Sequence, residues 1–117
     1  MSKRADKRIC LDPPMNAVIR TKDQTIDVLI TDMSCSGVRF CTKEQWKKGN
    51  KLLFELPDDY NAELPGKIKA KVKNEYGDAE NGSHIYGAKF YRLSYWYERN
   101  RIHAFIYSEF KKTSLSV

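Results

Sequence analysis

The sequence predicts a mainly β protein, with one antiparallel sheet of six strands followed by a single C-terminal α-helix. The length of 117 residues suits one domain, and 41% apolar with 31% charged residues is ordinary for a globular chain. Short runs of β-branched and aromatic residues recur between turn signals, and no helical pattern alternates with them before residue 94. Strands with short connections in this order favour an antiparallel sheet that closes on itself.

The first three strands are separated by polar segments. Residues 16–20 and 24–31 flank the polar stretch 21–23, which is typical of a hairpin. A polar loop is predicted at 32–37, where the apolar run breaks. In the third strand, 37–42, apolar and polar side chains alternate, as expected for a strand with one buried face.

Three further strands follow a charged connection. The fourth is predicted at 51–56 and ends at a proline. The fifth, 67–73, has the cleanest period of two, because three small or aliphatic residues alternate with four lysines. We expect the lysines to form a solvated outer face. An exposed turn at 77–82 leads to the sixth strand, 83–91.

The periodicity changes to that of a helix over residues 94–112. Ser94 is the expected N-cap, although no capping box is predicted because Tyr97 occupies the third position after it. One face of the helix is apolar and consists of Ile102, Phe105, Ile106 and Phe110. We expect it to pack across an open end of the sheet, with a homodimer or partner surface as the alternative. Residues 113–117 are predicted to be a tail.

The N-terminal residues 1–12 form a separate region. They are highly charged, carry few apolar side chains and end before the Pro13-Pro14 pair. We therefore expect a flexible N-terminal arm that leads into a barrel domain at 13–93.

Two polar clusters carry the chemistry of the chain. Arg4 and Arg8 form an RxxxR motif, and Asp32, Ser34 and Gly37 form DxSxxG. A guanidinium offers a planar fork of donors to a phosphate or to the O6/N7 edge of guanine. A carboxylate accepts from the N–H groups of guanine, a serine hydroxyl serves phosphate or base, and a glycine allows close backbone approach or positive φ. Together they supply what a cyclic dinucleotide would require.

The two motifs, one hairpin apart and followed by the strand 85–90, resemble the PilZ family over roughly residues 3 to 112. The resemblance implies a six-stranded antiparallel β-barrel with a C-terminal helix, with the RxxxR arm folded over its outside. It also implies a cyclic di-GMP receptor that relays its signal to a downstream protein, with no cofactor. The ligand-binding residues it implies are Arg4, Arg8, Asp32, Ser34 and Gly37, with support from Lys3, Lys7 and Ser36.

One departure from the family pattern lies inside the second motif. Ser36 stands where the family often has the first glycine of a pair. If that position needed a positive φ, the serine would be strained there. We expect such strain to affect the affinity for cyclic di-GMP rather than the assignment to the family.

Composition narrows the classes of function. A net charge of +6 favours an anionic partner. The chain has no apolar run of about 20 residues and no apolar core of a signal peptide. We therefore expect a cytoplasmic protein without membrane insertion. Three cysteines without CxxC spacing and two histidines predict no metal site, and the absence of a nucleophile–base pattern predicts no enzyme.

The sequence leaves two alternatives to a receptor. A PilZ-like interaction module without nucleotide binding would keep the fold and act through protein contacts. A small basic β-barrel that binds single-stranded nucleic acid is less favoured, because the lysine strand alternates with small or aliphatic residues rather than with aromatic ones.

Overall fold

The computed structural model describes residues 8–57, 64–79 and 81–115 and contains six antiparallel strands closed into a barrel. The strands are β1 (Arg8–Arg20), β2 (Thr25–Ser34), β3 (Gly37–Thr42), β4 (Lys51–Glu55), β5 (Lys67–Asp78) and β6 (His84–Phe90). Their order around the barrel is β1-β2-β3-β6-β5-β4, and pairing of β1 with β4 closes it. The predicted six-stranded antiparallel barrel with a C-terminal helix is confirmed.

The inward side chains of every strand form one apolar core. In β5, Ile68, Ala70 and Val72 are buried as the alternation predicts. Aromatic rings fill the centre: Phe40 meets Phe54 edge-on at 5.1 Å between ring centroids. The interior is thus a packed apolar core, and a binding site is expected on the outside of the barrel.

β1 begins at Arg8, well before the predicted start at residue 16, so the predicted arm–barrel boundary at residue 12 falls inside a strand. Ile9 and Leu11 are buried, and their apolar contacts hold this segment on the barrel. The register with β2 shifts between Cys10 and Met15, and this shift accommodates the prolines, which have no N–H for the ladder. The rest of the predicted arm, 1–7, lies outside the described residues.

The β5–β6 hairpin is longer than the sequence predicts. β5 continues through Asp78 instead of ending at residue 73, so part of the predicted turn at 77–82 is strand. Gly77 and Gly82 have φ values of 107° and 87°, which only glycine adopts readily. Two register shifts in this hairpin twist its outer part, which is exposed from residue 73 to residue 78.

The C-terminal segment starts with one π-helical turn, Tyr95–Arg99, and continues as α1 (Asn100–Leu115). Ser94 and Glu98 bond reciprocally: the Ser94 Oγ accepts from the Glu98 N–H, and a Glu98 carboxylate oxygen accepts from the Ser94 N–H. The sequence did not predict this reciprocal pair, because the π-helical turn brings the fourth residue after the N-cap, and not the third, into position.

α1 contacts β1 with the predicted apolar face. Ile102, Phe105 and Ile106 are buried, whereas Phe110 is 39% exposed. The helix extends to Leu115, beyond the predicted end at residue 112. Within the described ranges, no helix is long and apolar enough to span a membrane.

Candidate anion-binding site on the barrel surface

A cavity of about 220 Å³ opens on the outside of the barrel where β3, β6 and β5 lie side by side, next to the first residue of β1. Its cationic lining consists of Arg8, Arg39, Lys73 and Lys89. The neutral lining consists of Ser36, Gly37, Val38, Asn74, Tyr76, Gly87 and Ala88. No carboxylate of the described residues lines it. Such an excess of cations in a concave surface attracts anions.

The turn between β2 and β3 holds the two serines of the second motif together. Ser34 is 1% exposed, and its hydroxyl accepts from the Ser36 N–H at 3.2 Å and lies 3.2 Å from the Ser36 hydroxyl. The side chain of Ser34 therefore shapes the turn, while Ser36 lines the cavity. Among the described non-glycine residues, positive φ occurs at Arg92, so Ser36 does not carry the strain that a positive φ would impose.

Gly37 is required for close strand packing rather than for an unusual backbone angle. It lies opposite Lys89 in the β3–β6 pair and is not in the left-handed region. A Cβ atom at this position would come within 2.3 Å of the Ala88 carbonyl oxygen. The glycine thus lets β6 approach β3, and this approach places Lys89 in the cavity wall.

Asp32 is 8% exposed and lies opposite Cys10 of β1 and Arg39 of β3. One carboxylate oxygen is 3.3 Å from Arg39 Nη1. A hydrogen bond to Asp32, together with its negative charge, raises the pKa of the Cys10 thiol. The carboxylate therefore has two polar neighbours, Arg39 and Cys10.

Arg39 is held on its other side by an aromatic ring. Its guanidinium carbon lies 4.5 Å from the centroid of Tyr76 on β5. The Tyr76 ring packs on Gly87, where a Cβ atom would lie 2.9 Å from the ring, and its hydroxyl accepts from Asn74 at 3.3 Å. Tyr76 of β5, supported by Gly87 of β6, thus orients Arg39 of β3 beside Asp32.

The residues predicted from the sequence divide into three groups. Arg8, Ser36 and Gly37 line the cavity. Asp32 and Ser34 are buried and touch this lining through Arg39 and Ser36. The predicted Arg4, Lys3 and Lys7 lie outside the described residues.

Among the charged and aromatic lining residues, four were not predicted as site residues from the sequence: Arg39, Lys73, Tyr76 and Lys89. Arg39 could have been found from its place two residues after Gly37, on the same face of the strand. The others could not, because they belong to β5 and β6, whose neighbours are set by the barrel. Over residues 8–57, 64–79 and 81–115, no three metal-ligating side chains lie close enough to hold an ion.

Comparison with known proteins agrees with this architecture. A family model described as the PilZ domain matches residues 2–108. This chain belongs to the PilZ domain family. A search of curated proteins finds no match.

Solved structures share the fold at low sequence identity. The PilZ domain of YcgR from Escherichia coli, solved with c-di-GMP, has a TM-score of 0.66 and 19% identity, covering 99% of this chain and all of that one. The K. pneumonia MrkH–c-di-GMP complex has a TM-score of 0.75 and 15% identity, covering 100% of this chain and 57% of that one. The Bacillus subtilis inhibitor of motility MotI (DgrA) has a TM-score of 0.69 and 14% identity, covering 96% and 53%. This chain therefore spans about half the length of MrkH and MotI.

Proposed function

We propose that this protein is a cyclic di-GMP receptor that binds the dinucleotide between the start of β1 and the β2–β3 turn and relays the signal to a partner protein. The observation that carries the proposal is the cavity at the two motifs, with its four cationic side chains and no carboxylate from the described residues. Cyclic di-GMP is a dianion with two guanines, so it matches both the charge and the donors of this surface. The family and the two relatives solved with c-di-GMP support the same ligand.

Each motif residue has a role in the proposal. Arg8, with Arg4 ahead of it, binds phosphate and guanine through the guanidinium fork. Asp32 accepts from the N–H groups of one guanine through the lone pairs that its contacts with Arg39 and Cys10 leave available. Ser34 keeps the turn in shape, and Gly37 keeps β3 close to β6. Lys3, Lys7 and Ser36 support the ligand by charge and hydrogen bonding.

The relay follows from the position of Arg8 at the first residue of β1. A ligand held by this residue and by the β2–β3 turn links the N-terminal segment to the barrel wall. Residues 8–10 already pair with β2, so we expect the gain in protection from hydrogen exchange on ligand binding in residues 1–7 and in the β2–β3 turn. The downstream protein would recognise the surface formed in this way, and a homodimer through α1 remains a prediction.

Calorimetric titration with cyclic di-GMP tests the proposal and gives the stoichiometry. Arg8→Ala should weaken binding by about 10- to 100-fold, because a charge-assisted hydrogen bond contributes roughly 1.5–3 kcal/mol. Lys22→Ala, in the exposed β1–β2 turn, is the matched control and should bind as the wild type does. If near-millimolar cyclic di-GMP gives no heat and no rise in melting temperature, the receptor hypothesis is rejected and the PilZ-like interaction module is favoured.

A further inference from the structure

Two arginine–carboxylate pairs on this barrel differ in how completely their hydrogen-bonding groups are used. Arg20 grips Glu55 with two donors, Nε and Nη2. Arg39 meets Asp32 through one contact, 3.3 Å from Nη1, and its buried Nε–H has no partner among the described residues. A guanidinium and a carboxylate frequently form two parallel bonds, and the Arg39 pair does not. Because the Arg39 Nε–H is buried, the donors left for a third group are on the Nη nitrogens, and the Asp32 carboxylate keeps lone pairs beyond its contacts with Arg39 and Cys10.

The open pair is also the one that faces the cavity. The Arg39 side chain is 39% exposed and lines the cavity, whereas the Asp32 side chain beside it is 11% exposed. The Tyr76 ring covers one face of the guanidinium at 4.5 Å, so the plane of the donors is set before a ligand arrives. Arg39 therefore presents a fixed donor next to the Asp32 acceptor. A planar base that carries an acceptor next to a donor on one edge can pair with both.

We propose that Arg39 is a specificity-determining residue that reads one guanine of the dinucleotide together with Asp32, with Tyr76 as its positioning residue. Guanine places the O6 acceptor next to the N1–H and N2–H donors on one edge. Asp32 accepts from the N–H groups and Arg39 donates to O6. Adenine in the same orientation presents an amino group to Arg39 and a bare nitrogen to Asp32, so both contacts become repulsive. This inference rests on the proposed function and specifies how it selects its base.

The test compares cyclic di-GMP with cyclic di-AMP on each variant by calorimetry. Arg39→Met removes the donors and keeps most of the side-chain length. The ratio of the cyclic di-AMP Kd to the cyclic di-GMP Kd should fall by about tenfold or more, since a hydrogen bond to a charged group is lost only with guanine. Arg20→Met, which removes both hydrogen bonds to Glu55, is the matched control and should leave this ratio unchanged.

Tyr76 provides a second, independent pair of variants. It is 49% exposed on β5, so its replacement leaves the core intact. Tyr76→Leu should lower the same ratio because Arg39 loses its support, while Tyr76→Phe, which keeps the ring, should preserve it. If Arg39→Met does not fold, this pair alone decides the question.

The outcomes separate this inference from the proposed function. A wild type that does not bind cyclic di-GMP overturns the receptor itself. A wild type that binds and prefers cyclic di-GMP, with Arg39→Met weakening both ligands equally, overturns the inference and leaves the receptor standing, because the arginine would then act through charge alone. An unchanged ratio in both Arg39→Met and Tyr76→Leu likewise overturns the inference and leaves the receptor standing.

Discussion

Replacing Gly37 by alanine should destabilise the barrel even in the absence of ligand. The new Cβ would lie 2.3 Å from the Ala88 carbonyl oxygen and 3.2 Å from Lys89 Cα, both in the backbone of β6. A relaxed carbon–oxygen contact is about 3.3 Å or longer, so the two strands must separate by about 1 Å. That movement strains the hydrogen bonds between β3 and β6, since neither partner is a side chain that can rotate away.

The expected loss in the free energy of unfolding is about 3 kcal/mol, at the upper end of overpacking effects because the obstacle is backbone. For a domain of this size, it corresponds to a fall in melting temperature of about 12 °C. Gly87→Ala is the matched control in the neighbouring strand. There the Cβ meets the Tyr76 ring at 2.9 Å, and this half-exposed ring can turn away, so stability should stay within about 1 kcal/mol of the wild type.

Thermal and urea denaturation of the two ligand-free variants measure the difference. If Gly37→Ala melts within about 4 °C of the wild type, β6 has room for a methyl group and the steric argument fails. The role of Gly37 would then lie in contact with the ligand. A Gly87→Ala variant as unstable as Gly37→Ala would show that any added methyl group disrupts this wall, whatever it meets.

Three further outcomes follow from local contacts. Ser94→Ala should lower the free energy of unfolding by about 1 kcal/mol in urea denaturation, because it removes the N-cap bond. Hydrogen bonds from Arg20 hold the pKa of Glu55 below its usual value of 4.5, so this pair stabilises the fold above that pH and less as pH falls through the folded pKa. The melting-temperature difference between wild type and Glu55→Gln should therefore be constant above pH 5 and shrink in acid; a constant difference at pH 3 would contradict this assignment. Asp32→Asn should lower the pKa of Cys10 and speed its alkylation at pH 8, measured by peptide mass spectrometry; an unchanged rate would mean that Asp32 does not act on the thiol.

The alternation of side chains was enough to predict most strands. In β5, the period of two identified Ile68, Ala70 and Val72 as core residues, and all three are buried. The period reports only which face of a strand is apolar. It could not show where β5 ends, because its outer part from residue 73 to residue 78 is exposed and has no buried face to detect.

The start of β1 shows how tertiary structure overrides a local rule. Prolines lack an N–H, so Pro13-Pro14 predicted the end of an arm. In the barrel, the prolines lie at a register shift between Cys10 and Met15, and burial of Ile9 and Leu11 keeps the strand in place. Hydrophobic contacts with distant residues determined the boundary, and no local signal records them.

The sequence by itself determined the chemistry of the two motifs and the class of fold. Both depend on residue types and on their spacing over a few neighbouring positions, which can be read directly from the chain. Only the tertiary structure decided which residues stand around those motifs. The barrel places β3 beside β6 and β6 beside β5, so Arg39 meets Tyr76 although 37 positions separate them in the chain. Strand order depends on the packing of the whole core, which a local pattern does not encode.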